Sequence, residues 1–253
     1  MGKVDSVNKY SYVILSAGVG SRLGKLGVTT PKCLVQINKK NIIQNILDLL
    51  IKIGVKEVSI GVGFRAEKIK KNLKNLKKIK IKYYKIHNFK KNGSVYTLYK
   101  FKRLWLKKKK SVIMLHSDII FDEKFLLNII KSKKKNIVGV KKTRKNLIKK
   151  KGFTVRINKK FELDEINHNF NMKKSYGEII CINKFSSKFF SNLLNYFKSQ
   201  FMLGRNTETW EWLLSDFIKI KKEKVHILKN QAYRWVNMNT FSDYLKAKKL
   251  FFK

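Results

Sequence analysis

Tyr12-Val13-Ile14-Leu15-Ser16-Ala17-Gly18-Val19-Gly20-Ser21-Arg22-Leu23, with Pro31-Lys32-Cys33-Leu34 close behind, is the stretch of this 253-residue chain from which its fold can be read. Tyr12 to Ser16 form a short apolar run ending in small residues, the profile of a buried parallel strand that passes into a glycine loop. Small residues at Ser16, Ala17 and Gly18 and a further glycine at Gly20 let backbone approach a ligand closely, and successive N–H groups in such a turn form an anion-binding concavity. Arg22 carries a planar fork suited to phosphate oxygens, and Lys32 supplies a compact second charge. A Gly-x-Gly turn alone says little, since a strand-to-helix turn often needs glycine for its geometry. The combined pattern through Lys32 is specific.

Outward from this stretch, the first half alternates strands and helices. Asn41 suits the cap of a helix whose apolar face runs from Ile42 to Ile53 and stops at Gly54. Glu57 to Val62 reads as a strand, Ala66 to Leu76 as a helix, Ile79 to Tyr84 as a strand and Val95 to Leu106 as a helix. Ser111 to His116 reads as a strand entering Ser117-Asp118, and Glu123 to Ile130 as a helix. Repeated β-α units imply a mainly parallel sheet covered on both faces, with ligands at the carboxyl ends of its strands. After about Asn136 the rhythm changes to short strands at Asn136 to Lys141, Phe153 to Ile157, Phe161 to Ile166 and Glu178 to Asn183, more like an antiparallel region. Helices around Ser187 to Lys198 and Thr207 to Ile220, a strand-like stretch near Tyr233 to Met238 and a helix from Phe241 complete the pattern.

The 59 Lys+Arg against 16 Asp+Glu give a formal net charge of +43, which invites a reading in which lysine runs track the phosphates of a nucleic acid. Composition weakens that reading. Arg stands at only seven positions, Ala at four and Pro at one, while Lys, Asn, Ile, Phe and Tyr abound. Such an excess of residues with A/T-rich codons points to genomic base bias, and a solvated surface Lys costs little. With 43% hydrophobic and 12% aromatic residues, the chain can bury a sizeable core and is not expected to be disordered. Cys33 and Cys181 suffice for neither a disulfide framework nor a cysteine-based zinc site and read as buried thiols. No apolar run approaches a membrane span and the amino terminus lacks a signal-peptide core, so a cytoplasmic protein is expected.

The glycine-rich segment through Lys32, followed by an apolar helix and the strand of Gly54-Val55-Lys56-Glu57-Val58, resembles the nucleotidyltransferases that activate sugar phosphates and small alcohol phosphates. Their signature is Leu-x-x-Gly-x-Gly-x-Arg followed by Pro-Lys-x-Leu. The resemblance implies a GT-A-like, Rossmann-like three-layer α/β sandwich with a mainly parallel mixed sheet and a small antiparallel extension on the substrate side. It implies one domain over residues 1–253, with a nucleotide-binding half at about 8–135 and an acceptor-binding half at about 136–253. The reaction implied is nucleotidyl transfer from a nucleoside triphosphate with release of pyrophosphate.

Carried over position by position, Leu15, Ala17, Gly18, Gly20 and Ser21 would line the nucleotide, and Arg22 and Lys32 would hold the triphosphate. Asn92-Gly93-Ser94-Val95-Tyr96-Thr97-Leu98 corresponds to the segment reading the base from the other side. There Gly93 gives close approach and Ser94 offers hydrogen-bonding groups, although Ser94 equally suits a helix N-cap. Asp118 corresponds to the metal-binding Asp and Asn239 to the second ligand of Mg²⁺. Asn239 also suits a helix cap, with Asn237 its neighbouring rival, and His116 reads as a packed strand residue.

The likeness is greatest to the small cytidylyltransferases for phosphocholine, 2-aminoethylphosphonate and phosphoglutamine, on the strength of the Gly93 to Leu98 stretch, Gly177-Glu178 and Asp243-Tyr244. It implies CTP as co-substrate and a small amine-bearing phosphate as acceptor, with L-glutamine phosphate, giving CDP-L-glutamine for a capsular phosphoramidate, as the specific expectation. A sugar-1-phosphate nucleotidyltransferase is the alternative, and a nucleic-acid-binding protein the alternative of another class. Where several relatives place a Lys near the acceptor phosphate, this chain has His168, or else shifts the role to Lys173 or Lys174. Acidic residues are scarce, so Glu178, Glu208 and Glu211 beside Tyr176, Trp210 and Trp212 stand out as groups suited to an amine or quaternary ammonium. The same residues also fit an amphipathic helix with its tryptophans in the core. Oligomeric state stays open, a homodimer being one option.

Overall fold

In a computed structural model, which describes residues 7–20, 29–102, 109–142, 152–168, 175–229 and 233–252, the apolar run around Ile14 is a central strand. In chain order the strands are β1 (Tyr10–Ser16), β2 (Gln36–Ile37), β3 (Lys40–Asn41), β4 (Glu57–Val62), β5 (Lys80–Lys85), β6 (Ser111–His116), β7 (Ile119–Phe121), β8 (Ile137–Lys142), β9 (Thr154–Ile157), β10 (Leu163–Asn167), β11 (Gly177–Phe185), β12 (His226–Lys229) and β13 (Trp235–Asn237). The helices are α1 (Ile42–Lys52), α2 (Ala66–Leu73), α3 (Ser94–Lys100), α4 (Glu123–Lys131), α5 (Ser187–Met202), α6 (Trp210–Lys221) and α7 (Phe241–Phe251).

Parallel neighbours flank both edges of β1, with Ile14 opposite Ile60 of β4 on one side and Leu115 of β6 on the other. Every residue of β1 from Ser11 to Ser16 is buried, so both faces of the strand are covered, which explains why it is apolar in succession rather than alternating. Ile14, Ile60 and Leu115 are fully buried, each contributing about 1.5–3 kcal/mol over its exposed state. The sheet runs β10-β9-β11-β6-β1-β4-β5, with β8 beside β11 and β12 beside β8. β5, β4, β1 and β6 are mutually parallel. β11 then runs antiparallel to β6, β8 and β9, which makes the expected antiparallel extension. One nine-stranded sheet is thus built from both halves of the chain.

Local chemistry accounts for several boundaries. Asn41 caps α1 in a capping box with Gln44, and Gly54 takes the left-handed conformation just beyond its end (φ +94°). Where one helix was expected from Thr207, residues 205–207 form a tight 3₁₀ turn and α6 starts at Trp210. β12 was not anticipated: it pairs parallel with β8, a contact across about 90 residues that no local pattern announces. No helix among the described residues is long and apolar enough to cross a membrane. Cys33 and Cys181 are buried and unpaired.

The fold positions the site through register. Because β1 and β6 are parallel, with Leu15 opposite His116, the chain leaves both strands at the same edge of the sheet. The glycine turn therefore lies beside Ser117-Asp118, and the Ser117 N–H donates to the Leu15 carbonyl at 3.1 Å. A separate antiparallel ribbon of β7 and β13, with Asn237 opposite Ile119, delivers the 237–239 segment to the same place. The Met238 N–H donates to the Asp118 carbonyl at 2.8 Å.

Candidate active site

A cavity of about 320 Å³ opens at these carboxyl ends, walled by Leu15 to Gly18 and Gly20 on one side, by Pro31, Lys32 and Cys33 below, and by Phe89, Asn92, Gly93, Ser94 and Thr97 opposite. His116, Ser117 and Asp118 also line it. The glycines here serve different ends. A Cβ added to Gly18 would meet no atom within 4 Å, so that position faces open space. Gly20 adopts φ +70°, where a side chain is strained, and a Cβ there would lie 3.0 Å from Lys32 Cβ. At Gly93 a Cβ would fall 1.8 Å from the Glu208 carbonyl oxygen. The close approach that Gly93 permits is to the chain itself.

Lys32, Asp118 and Asn239, far apart in sequence, meet at the cavity. The Lys32 ammonium donates to Asp118 Oδ2 and to Asn239 Oδ1, each at 2.7 Å. The pair is shielded: the Lys32 side chain is 11% exposed and that of Asp118 21%. Burial pushes the Asp118 carboxyl up, but the Lys32 ammonium outweighs it and holds the group below its ordinary value. Asp118 Oδ1 is buried without a hydrogen-bond partner. Asn239 is not the helix cap, since Thr240 caps α7 in a capping box with Asp243. Two hard oxygen donors, one of them an ionised carboxylate with an orphaned oxygen, suit a divalent cation such as Mg²⁺, and the Lys32 ammonium bridging them is a stand-in positive charge.

His116 contributes through a bond that sequence reasoning missed. Its Nε2 accepts a hydrogen bond from the Trp210 indole N–H at 2.8 Å. Burial lowers the His116 pKa, so the neutral ring carries its proton on Nδ1, the nitrogen 4.0 Å from Asp118 Oδ1. His116, Cys181 and Glu211 lie within 4.8 Å of one another. With Nε2 accepting from Trp210 and Nδ1 protonated, this imidazole offers no lone pair to a metal.

On the acceptor side the geometry departs from expectation. Trp210 and Glu211 are buried at 0% and 2% exposure, so neither reaches a ligand in the cavity; both belong to the packing of α6 beneath it. Burial pushes the Glu211 carboxyl up to about 8. Glu208 is engaged by Arg205, whose Nε and Nη2 donate to its two carboxylate oxygens at 2.6 and 2.8 Å. Ser94 accepts from the Trp210 backbone N–H at 3.1 Å, and it is the first residue of α3, with Gly93 as N-cap.

Tyr176 and Glu178 lie where β8, β9 and β11 meet, with Glu178 opposite Lys141 and Thr154. Trp212 packs with Phe153 and His168, whose rings lie 3.7 Å apart. None of these lines the cavity. Ser21, Arg22, Lys173 and Lys174 lie outside the described residues. The Lys32–Asn239 bond, the His116–Trp210 bond and the packing of Gly93 on Glu208 had no local signal in the sequence.

Comparisons with known proteins show the family and the fold. A family model described as nucleotidyl transferase matches residues 11–153, more than half of the chain. A CTP:phosphoglutamine cytidylyltransferase from Campylobacter jejuni is 26% identical over 214 residues, 77% of this chain and 79% of the relative. The catalytic subunit beta of mannose-1-phosphate guanylyltransferase from Drosophila melanogaster is 32% identical over 114 residues, but over only 45% of this chain and 31% of that protein. The solved CTP:phosphocholine cytidylyltransferase of Streptococcus pneumoniae superposes with a TM-score of 0.69 at 16% identity, covering 95% of this chain and 98% of that one, which establishes a shared fold.

Proposed function

The chain belongs to the nucleotidyl transferase family, and on that footing we propose that it transfers CMP from CTP to a small amine-bearing phosphate, with L-glutamine phosphate as first choice and pyrophosphate as the second product. The observation that carries this reading is the meeting of Lys32, Asp118 and Asn239 at a cavity walled by the glycine turn and by Asn92 to Ser94. In sequence, the phosphoglutamine cytidylyltransferase matches over 77% of this chain and the guanylyltransferase over 45%. That contrast favours CTP.

A phosphate acceptor is already an anionic nucleophile near neutral pH, so the protein needs no general base; its task is positioning and charge neutralisation. Backbone N–H groups of the glycine turn, with Lys32 and Arg22, would hold the triphosphate, and the open space at Gly18 leaves room for it. The acceptor oxygen attacks the α-phosphorus in line with the departing pyrophosphate, and the bond to the bridging oxygen breaks. Asp118 and Asn239 would hold Mg²⁺, which when bound offsets charge on the triphosphate. On the acceptor side Glu178 and Tyr176 would face the amine. Residues 8–135 would serve the nucleotide and 136–253 the acceptor within one domain.

The test is a pyrophosphate-release matrix of CTP, UTP, GTP and dTTP against phosphoglutamine, phosphocholine, 2-aminoethylphosphonate and hexose-1-phosphates, with and without Mg²⁺. Turnover with CTP and an amine-bearing acceptor, lost in Asp118→Ala, is expected. Turnover only with GTP or UTP and a sugar phosphate sinks the proposal.

A further inference from the structure

The cavity wall at Asn92 to Val95 is moored on the other half of the chain. The Gly93 N–H donates to the Asn206 carbonyl at 3.0 Å and the Val95 N–H to the Glu208 carbonyl at 3.4 Å. In the other direction, the Trp210 N–H donates to Ser94 Oγ at 3.1 Å and Asn206 Nδ2 to Asn92 Oδ1 at 2.6 Å. The missing side chain of Gly93 brings the two backbones into this contact.

The mooring segment is a short 3₁₀ turn entered through Gly204 at φ +77°, which has few restraints of its own. One guanidinium supplies them. Arg205 donates from Nε and Nη2 to the Glu208 carboxylate at 2.6 and 2.8 Å, from Nη2 to Asp216 at 2.8 Å, and from Nη1 to Gln200 Oε1 at 2.8 Å. It thereby ties the end of α5 and the second turn of α6 to the segment between them. These are four hydrogen bonds from one rigid, planar fork with five N–H donors; an ammonium has three donors and cannot make all four.

We propose that Arg205 is a positioning residue for nucleotide binding: it holds the 206–208 backbone on which Asn92 to Val95 is moored, and so sets the far wall of the nucleotide cavity. This rests on reading that cavity as the nucleotide site.

Two measurements on Arg205→Ala and Arg205→Lys test it, with Asp216→Asn as a milder variant should Arg205→Ala not fold. Hydrogen exchange followed by mass spectrometry should show faster exchange of the amides at 92–98 in the Arg205 variants. It should be unchanged in Arg234→Ala, which removes a comparable pair with Asp122 on another face. The Kd and KM for CTP should rise about tenfold, about 1.4 kcal/mol of binding, while kcat and the acceptor KM stay within about twofold. Asp216→Asn, which keeps the Glu208 fork, should fall between wild type and Arg205→Lys. Unchanged exchange at 92–98 in a folded Arg205 variant overturns the proposal, as does faster exchange with an unaltered CTP Kd. Wild-type protein that neither binds nor turns over any nucleotide would overturn the functional reading and this inference's kinetic half, and the exchange result would still decide the mooring.

Discussion

Gly18→Ala and Gly93→Ala put the same methyl group on opposite walls of the cavity and should have opposite consequences. At Gly93 the added Cβ would lie 1.8 Å from the Glu208 carbonyl oxygen, 2.4 Å from the Thr207 oxygen and 2.5 Å from the Glu208 carbonyl carbon. All three are backbone atoms, so no side-chain rotation relieves the overlap. Ordinary contact demands a shift of more than about 1 Å, enough to break the Gly93 N–H to Asn206 and Val95 N–H to Glu208 bonds. Overpacking of this kind costs about 1–3 kcal/mol, and each broken hydrogen bond about 1 kcal/mol more. A total of about 3–5 kcal/mol corresponds to about 6–20 °C in Tm for a chain of this size. Gly18→Ala meets no atom within 4 Å and has negative φ, so its Tm should stay within about 1 °C of wild type, whereas its methyl group projects into the cavity and should weaken CTP binding. Calorimetric melting of both variants, with and without CTP, is the assay. A Gly93→Ala protein melting with wild type would refute the reasoning, since the two backbones could not then be in the contact described.

Two further outcomes follow from the charges at the site. Lys32→Met removes the cation bridging Asp118 and Asn239 and should lower kcat/KM by about 10²–10³, the usual loss on deleting one electrostatic stabiliser of a transition state; steady-state pyrophosphate release measures it, and a loss under threefold contradicts the assigned role. Glu211, pushed up to about 8 by burial against an ordinary value of 4.5, keeps its proton in the folded state where the unfolded chain has lost it. Native protein therefore binds more protons between those values, and stability falls as pH rises from about 4.5 to about 8. Glu211→Gln cannot ionise, so its urea midpoint should gain on wild type through that window and then hold a constant difference; parallel curves from pH 5 to 9 would show that Glu211 is not held neutral.

Legibility followed the range of the interactions involved. The strand at Ser111 to His116 was readable to the residue because an unbroken apolar run bounded by polar residues has few alternatives, and that at Glu57 to Val62 because Val58, Ile60 and Val62 alternate with small residues at the period of a strand. The cap of α1 was readable because Asn41 and its partner Gln44 are three residues apart. The edges of the sheet were not. β12 is a four-residue segment whose existence depends on β8 being free to pair with it. The β7–β13 ribbon, which carries Asn239 to Asp118, joins residues more than a hundred positions apart. Glu208, Trp210 and Glu211 stand within four positions, and composition alone makes them equivalent candidates for an acceptor. The fold assigns the first to Arg205, buries the second under His116 and holds the third neutral in the core.

By itself, then, the sequence determined the buried strand, the glycine turn that follows it and the presence of Lys32 beyond that turn and of Asp118 at the end of β6 as charges, because these follow from local sterics and from the periodicity of burial. Tertiary structure alone decided that Lys32 bridges Asp118 and Asn239, that Gly93 serves chain packing, and that the wall of the cavity hangs on Arg205. Each of those depends on atoms brought into hydrogen-bonding or van der Waals contact by the docking of separate elements, and a hydrogen bond or a steric exclusion has no signature in the chain until both partners are in place.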